Sequence, residues 1–174
     1  MQKQKITIWK IDPAHSEIEF KVKHMMISTV SGSFEKFEGH LETTSDDFKD
    51  AKFFFSANVD SINTKSKDRD THLRSDDFFG AATHPNLTFI SKSFDGETLV
   101  GDLTLKGITK EIKLDGDFNG IAHDPYGQTK AGFEFEGQLN RKDFGLTWNA
   151  MTEAGSVVVS DKVRLLISVQ FIKQ

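Results

Sequence analysis

The segment EIEFKVK, residues 17–23, alternates charged and apolar side chains at every position. Ile18, Phe20 and Val22 fall on one side of an extended chain, and the glutamates and lysines between them fall on the other. Strict alternation of this kind predicts a β-strand with one buried and one solvated face. The segment therefore predicts an antiparallel sheet that covers a core on one side only.

The same alternation recurs along most of the chain. Further sets of inward-facing apolar residues lie within residues 53–59, 99–105, 112–118, 131–139 and 163–171. Asp95-Gly96 separates two alternating runs and is typical of a hairpin turn. Lys106-Gly107 and Asn119-Gly120 indicate similar turns, and residues 121–130 and 148–160 read as loops. We count eight or nine strands.

Many strands in one domain need protected edges, and closing the sheet into a barrel removes the edges. We therefore predict an all-β fold, a lipocalin-like antiparallel β-barrel of about eight strands, formed by residues 1–174 as a single domain. The interior of such a barrel either fills with side chains or holds one small ligand. Inward glycines at 101, 116 and 137 leave space inside or allow tight curvature.

Residues 64–79, TKSKDRDTHLRSDDFF, interrupt the strand pattern. They predict a short helix that covers one end of the barrel and is anchored by Phe78 and Phe79. Three interpretations of its arginines stay open: a solvated charged face, a ligand contact, or ion pairs that lock the helix onto the barrel. We favour ion pairs of Arg69 or Arg74 with a nearby aspartate, because arginine binds carboxylates in a bidentate manner.

The composition narrows the function classes. A net charge of -4 and a pI of about 5.9 give no basic footprint for nucleic acid. The absence of cysteine excludes a disulfide framework, a thiolate zinc site and a cysteine nucleophile. The six histidines show no tight metal-ligand spacing. We predict no cofactor and no bound metal.

The same reasoning addresses location. No stretch approaches the roughly 18 apolar residues of a membrane-spanning helix. The first twelve residues, MQKQKITIWKID, contain no apolar signal segment. We therefore expect a cytoplasmic protein, or a periplasmic or secreted one if the numbering follows a removed signal.

Five motifs, in order along residues 8–172, resemble the YceI family of lipocalin-like proteins. They are WKIDPAHSEIEFKVKH at the start, SINTKSKDRDTHLRSDDFF, HPNLTFIS, GDLTLKGITKEI and LNRKDFGLTWN. The resemblance implies an extended eight-stranded barrel with a helical segment at one end. It also implies binding of long apolar amphiphiles, such as polyisoprenoids or fatty-acid amides, without an established catalytic activity. The family motifs carry over to Asp12, His15, Ser16, Phe20, His24, Arg69, Asp70, His72, Leu73, Phe78, Phe79, Arg141, Asp143, Phe144 and Trp148.

Each polar candidate has a functional and a structural interpretation. His15 either closes a hydrogen-bonded corner at Asp12-Pro13, which we favour, or donates to a ligand head group at the barrel mouth. His24 continues the inward register of Val22 and is either a satisfied core group or a polar ligand contact. Arg141 and Asp143 share one face at the end of a strand, where an ion pair or a loop-fixing role is the default.

We predict that the protein binds, stores or transports a long-chain polyisoprenoid or fatty-acid derivative, is not an enzyme and binds no nucleic acid. Formation of a homodimer stays open. Polar ligand contacts are expected from His24, Arg69, His15 and His72. The apolar lining is expected from Phe20, Val22, Phe53, Phe55, Phe89, Leu103, Phe133 and Phe135, with Trp148 at the mouth. The alternatives are an enzyme for an apolar substrate with His24 or His72 as base, and a filled barrel that serves as an interaction module.

Overall fold

The structure, a computed structural model, describes residues 5–149 and 158–174. It consists mostly of antiparallel strands, with a single α-helix in this part of the chain, α1 (Lys67–Arg74). The strands are β1 (Thr7–Ile11), β2 (Glu17–His24), β3 (Ser28–Phe34), β4 (Phe37–Thr43), β5 (Lys52–Asn58), β6 (Ile62–Asn63), β7 (Asn86–Phe94), β8 (Thr98–Leu105), β9 (Ile108–His123), β10 (Thr129–Asn140) and β11 (Val159–Lys173).

The sheet closes on itself through β11. Near its end β11 pairs with β1, with Phe171 opposite Ile11, and from Val159 to Ser168 it pairs with β2, with Ile167 opposite Ile18. The short strands β1 and β2 thus follow one another along β11, and β4 and β3 likewise follow one another beside them. With β5 and β6 counted in the same way, the ring is a closed eight-stranded antiparallel barrel. The predicted fold class, with its short helix at one end, is confirmed.

The break between β1 and β2 is a hydrogen-bonded corner. The carboxylate of Asp12 accepts from the Ala14 amide at 3.1 Å and from Lys130 Nζ at 2.9 Å, and it lies 2.8 Å from Nδ1 of His15. Burial acts to raise the pKa of Asp12, but the hydrogen bonds from Lys130 and His15 outweigh it and lower that pKa. The favoured interpretation of His15 agrees with this geometry, because its ring is exposed and braces the corner.

The glycine turns differ from one another. Gly96 and the pair Lys106-Gly107 adopt left-handed backbone angles in hairpin turns, as the sequence indicates. Asn119-Gly120 does not form a turn, because it lies inside β9, where the register with β10 shifts at Gly132. The extra residue forms a β-bulge, which bends the strand without ending it.

The space beside the inward glycines is filled by side chains of neighbouring strands. A Cβ atom at Gly101 would lie 2.4 Å from Cζ of Phe89, and one at Gly137 would lie 2.5 Å from Cδ2 of Leu114. Real side chains cannot approach this closely, so each glycine accommodates a large side chain of the adjacent strand. The glycines therefore serve close packing and leave no open space of their own.

Candidate ligand-binding cavity

An apolar cavity occupies the half of the barrel that lies beneath α1. The volume of this cavity is about 140 Å³. Of the 22 described residues that line it, 20 are apolar and two, Glu19 and Arg141, are charged. The lining residues are Ile18, Glu19, Phe20, Val22, Phe34, Phe55, Leu73, Phe78, Phe79, Leu87, Phe89, Leu103, Leu105, Ile112, Leu114, Leu139, Arg141, Leu146, Val159, Val163, Leu165 and Ile167.

The walls come from the inward positions of the alternating strands. On β11, Val163, Leu165 and Ile167 face the cavity and are half-buried, whereas Val169 and Phe171 on the same face are fully buried. The inward face of β2 is half-buried in the same way. Apolar surface in this half of the barrel is therefore left uncovered by the protein itself. We call this half the hollow half.

The other half of the barrel is closed by aromatic rings, and we call it the filled half. Phe53, Phe133 and Phe135 meet there with ring centroids 5.3 Å to 5.9 Å apart. All three are at most 2 % exposed, and none is among the residues that line the cavity. The remaining buried rings of the filled half are Trp9, Phe48, Phe94 and Phe171.

Five of the predicted lining residues do border the cavity. Phe20 and Val22 lie on β2, Phe55 on β5, Phe89 on β7 and Leu103 on β8. Phe53, Phe133 and Phe135 share the inward face of their strands but lie deeper along the barrel axis, in the filled half. Alternation identifies the inward face of a strand but not the depth at which the interior opens. Contact of any of these residues with a ligand stays a prediction.

Helix α1 is held over the hollow half by Thr64. The buried carboxylate of Asp70 accepts from the Thr64 amide at 2.9 Å and from its hydroxyl at 2.5 Å. Arg69 donates from Nε to the Thr64 hydroxyl at 2.8 Å and from Nη2 to its carbonyl at 2.5 Å. The ion pairs favoured from sequence for Arg69 and Arg74 are wrong, because in the described chain neither arginine lies within ion-pair distance of a carboxylate. Threonine takes the place of the expected partner.

The aromatic anchors of the helical segment are confirmed. Phe78 is buried, and Phe79 packs edge-on against Phe34 at 6.0 Å. Both border the cavity. His72 packs edge-on against Phe78 at 5.0 Å and Trp148 at 4.7 Å, and its Nε2 lies 2.9 Å from Oδ2 of Asp77. The structure thus brings together His72 and Trp148, outside the cavity wall.

The remaining polar candidates lie apart from the cavity wall. His24 ends β2 opposite Ser28 and Val159, Arg69 is exposed on α1, and His15 lies at the β1–β2 corner. None of these, nor His72 or Trp148, is among the residues that line the cavity. Within residues 5–149 and 158–174, no three histidine, aspartate or glutamate side chains converge in a group that could hold a metal ion.

Arg141 has the loop-fixing role that the sequence gives as one of its default interpretations, and it also borders the cavity. Its side chain is 3 % exposed and borders the cavity. The guanidinium donates to the carbonyls of Leu146 at 2.6 Å, Trp148 at 2.7 Å and Ser160 at 2.9 Å, and Asp161 lies 3.8 Å away. Burial lowers the pKa of Arg141 from its ordinary value. The side chain therefore ties the end of β10 to the start of β11 and to the segment between them.

A second concavity of about 300 Å³ lies on the outer surface of β2, β9, β10 and β11. Its rim carries six carboxylates, contributed by Glu17, Glu19, Asp115, Asp117, Glu134 and Glu136. A groove of this chemistry is solvated, so the interior cavity is the better candidate for an apolar ligand. None of the helices in the described part of the chain is long and apolar enough to span a membrane.

Comparison with known proteins agrees with this architecture. A family model described as YceI-like domain matches residues 9–171. A UPF0312 protein of Staphylococcus epidermidis is 38% identical over 167 residues, which cover 95% of this chain and 98% of that protein. The crystal structure of a Campylobacter jejuni YceI protein is 31% identical, with a TM-score of 0.74 over 87% of this chain and 90% of that one.

A more distant neighbour shares the fold. The structure of a polyisoprenoid binding domain from Saccharophagus degradans is 16% identical, with a TM-score of 0.73 over 98% of this chain and 100% of that one. At this identity the likeness concerns the arrangement of strands alone.

Proposed function

The chain belongs to the YceI-like domain family, and on that premise we propose that it binds the long apolar chain of an amphiphile inside the hollow half of its barrel. The ligand class is a polyisoprenoid or a fatty-acid derivative. The protein serves as a binding protein that stores or carries this ligand and not as an enzyme. The family and a neighbour described as a polyisoprenoid binding domain support apolar ligand binding.

The observation that carries the proposal is the apolar cavity with incompletely buried walls. Val163, Leu165 and Ile167 on β11 and the facing residues of β2 leave apolar surface that a ligand would cover. Removing that surface from water stabilises the complex by about 0.8 kcal/mol for each buried CH₂ group. A long chain thus gains affinity from desolvation alone.

Two charged residues on an otherwise apolar wall imply that selectivity depends mainly on length and shape. Glu19 also borders the outer acidic groove, and the donors of Arg141 are directed to backbone carbonyls. Glu19 and Arg141 are not arranged as a catalytic pair, and this favours a binding role. His24, Arg69, His15 and His72 remain predictions for contact with the head group.

The test is native mass spectrometry of protein purified without detergent, followed by organic extraction of any bound species. We expect a one-to-one adduct with the mass of a long-chain isoprenoid or acyl compound, or uptake of an added polyprenol by the protein without ligand. A bare protein mass together with no uptake would contradict the proposal.

A pair of adjacent leucines on β11 provides the matched control. Leu165 faces the cavity opposite Phe20 and Gly137, whereas Leu166 faces the outer groove opposite Glu19 and Glu136. Leu165→Trp should fill the cavity and abolish uptake. Leu166→Trp adds the same bulk outside and should bind normally. Equal uptake by both variants would show that the ligand lies elsewhere.

A further inference from the structure

The hairpin that joins β2 to β3 presents an exposed apolar tip. Met25, Met26 and Ile27 are 37%, 61% and 80% exposed, in three consecutive positions. Single exposed apolar residues are ordinary on protein surfaces, but a contiguous apolar projection calls for an explanation. We call these three residues the tip.

The backbone of the tip makes its composition unusual. Met25 and Met26 have φ angles of 52° and 60°, and the Ile27 amide donates to the His24 carbonyl at 3.2 Å. Two central residues with positive φ define the type I′ turn, for which asparagine and glycine are strongly preferred. Methionine disfavours this conformation, and although Met25 is only 37% exposed, Met26 gains little burial in return. Folding alone therefore does not account for the tip.

Along the β2–β3 hairpin the charges next to the tip are all positive, and Asp161 on the adjacent β11 pairs with Lys142 at 3.4 Å. Lys21 and Lys23 precede it on β2, and no acidic residue occurs between Glu19 and Glu35. Lys23 reaches across the hairpin and donates to Thr29 at 3.1 Å, which keeps a cation at the base of the tip. Apolar side chains that project beyond basic residues are typical of proteins that rest on an anionic lipid surface.

The tip also lies at the cavity end of the barrel. Val22, three residues before Met25, borders the cavity, and so does Val159 on the adjacent strand. The Met25 amide donates to the Val158 carbonyl at 2.8 Å, which fixes the tip to the start of β11. A surface in contact with the tip would therefore lie beside the cavity wall.

We propose that the tip docks onto an anionic lipid membrane, with Met26 and Ile27 entering the headgroup region and Lys21 and Lys23 contacting the lipid phosphates. The docked orientation places the hollow half next to the membrane. Loading of the cavity from that membrane rests on the proposed function, but the docking itself does not.

Fluorescent labelling tests the orientation directly, because the chain has no cysteine of its own. An environment-sensitive fluorophore is attached to Ile27→Cys or, as the control, to Tyr126→Cys. Tyr126 is 90% exposed in the turn between β9 and β10, at the opposite end of the barrel. Vesicles of phosphatidylglycerol and phosphatidylcholine in equal amounts should shift the emission to the blue at position 27 and leave position 126 unchanged. No shift at 27, or the same shift at both positions, would overturn the proposal.

Flotation with the same vesicles measures binding of unlabelled protein. The variant Met25→Asn, Met26→Gly, Ile27→Ser supplies the preferred turn sequence and should fold at least as well, yet bind about tenfold more weakly. Ile90→Ser removes an exposed isoleucine from β7 and should bind as the original chain does. Replacing Lys21 and Lys23 by glutamine should weaken binding to the anionic vesicles by about fivefold for each lysine. Equal binding by the tip variant would refute the proposal.

Three further outcomes can be distinguished. If the fluorophore at position 27 shifts with protein concentration in the absence of vesicles, the tip binds a second copy of the chain and the membrane proposal fails. If the tip variant loses vesicle binding but still takes up polyprenol added from solution, docking and cavity binding are both supported as separate properties. If neither the original protein nor the tip variant takes up polyprenol, the proposed function fails. The vesicle experiments then decide by themselves whether the tip docks onto a membrane.

Discussion

The filled and hollow halves of the barrel are built from the same alternating strands but differ in the side chains at their inward positions. In the filled half, planar rings from β5 and β10 meet across the axis, as Phe53 and Phe133 do at 5.3 Å. In the hollow half the inward residues of β11 are Val163, Leu165 and Ile167, and the interior stays open. The rings of the filled half pack against one another, whereas the phenylalanines that border the cavity and the aliphatic residues of β11 leave a gap between the walls. The two halves thus differ in how completely their inward side chains meet across the barrel axis.

The two ends also differ in how they are closed. In the filled half Phe48, on the loop between β4 and β5, inserts its fully buried ring between Trp9 and Phe133. Phe48 adopts a left-handed backbone with φ of 58°, and Asp50 holds the loop by accepting from Thr43 at 2.6 Å. The hollow half is instead covered by α1 and Phe78. A buried ring therefore fills the interior at one end of the barrel. At the other end the helix only covers the interior and leaves space beneath it.

The largest contrast is expected between equivalent phenylalanines of the two halves. Phe133→Ala removes a ring that is 1 % exposed and contacts several other rings, and it should lower the free energy of unfolding by about 3–5 kcal/mol. Phe20→Ala removes a half-buried ring at an existing cavity and should lower it by about half as much. Urea unfolding curves measure both. Equal losses would break the distinction between the halves.

Arg141 tests how the hollow half is held together. Arg141→Met removes the donor to the Leu146, Trp148 and Ser160 carbonyls and should lower the free energy of unfolding by about 2–3 kcal/mol. Polyprenol uptake should fall as well, because these segments border the cavity. Lys142→Met, at the exposed neighbouring position, should change neither property. Unaltered uptake by Arg141→Met would restrict its role to stability.

The loop that holds Phe48 should make the filled half sensitive to acid. Burial acts to raise the pKa of Asp50, but hydrogen bonds from Thr43 and Thr44 outweigh it and lower that pKa to about 2. A carboxyl group with a lowered pKa stabilises the fold above its unfolded value of about 3.9 and loses that effect as the pH falls toward 2. Because Asp50 is exposed, Asp50→Asn should lower the free energy of unfolding by only about 1 kcal/mol at neutral pH.

The check is urea unfolding at several pH values between 5 and 2. The difference between the original chain and Asp50→Asn should shrink toward the acid end. A difference that is constant with pH would mean that the Asp50 charge does not support the loop.

The smallest effect is expected at His72, on the helix α1 that covers the hollow half. His72→Gln removes a half-exposed ring from Phe78 and Trp148 and a contact with Asp77, which should lower the free energy of unfolding by about 0.5–1 kcal/mol. Thermal unfolding should record a decrease of about 1–4 °C in the midpoint. Ligand uptake should persist. If the original chain turned over an apolar substrate and His72→Gln did not, the alternative of an enzyme with His72 as base would be favoured instead.

The barrel itself was predictable because its signal is local. Each strand, such as β2 or β10, carries its inward residues at every second position, and the turn at Gly96 requires a backbone angle that glycine provides. The bulge at Asn119-Gly120 was misread as a turn. An Asn-Gly pair suits both structures, and only pairing with Gly132 on β10 distinguishes them.

The site was predictable only in part. Phe20, Val22, Phe55, Phe89 and Leu103 were assigned to the lining and border the cavity. Alternation identifies Val163, Leu165 and Ile167 as inward but does not assign them to the lining, and Val159 falls in the segment 148–160 that the sequence indicates as a loop. Phe53, Phe133 and Phe135 share the inward face with the true lining residues, and only their depth along the barrel axis separates them from the cavity.

Alternation, turn residues and the charged segment that ends in Phe78-Phe79 were enough to determine an eight-stranded barrel with one covered end. Only the tertiary structure decided which half is hollow, that Thr64 and not a carboxylate binds Arg69, and that the Arg141 guanidinium joins segments up to 19 residues apart. The physical reason is distance along the chain. Strand periodicity depends on residues that are neighbours in the sequence. Contacts between rings across the barrel axis, and the partners of a buried guanidinium, depend instead on how distant segments come together.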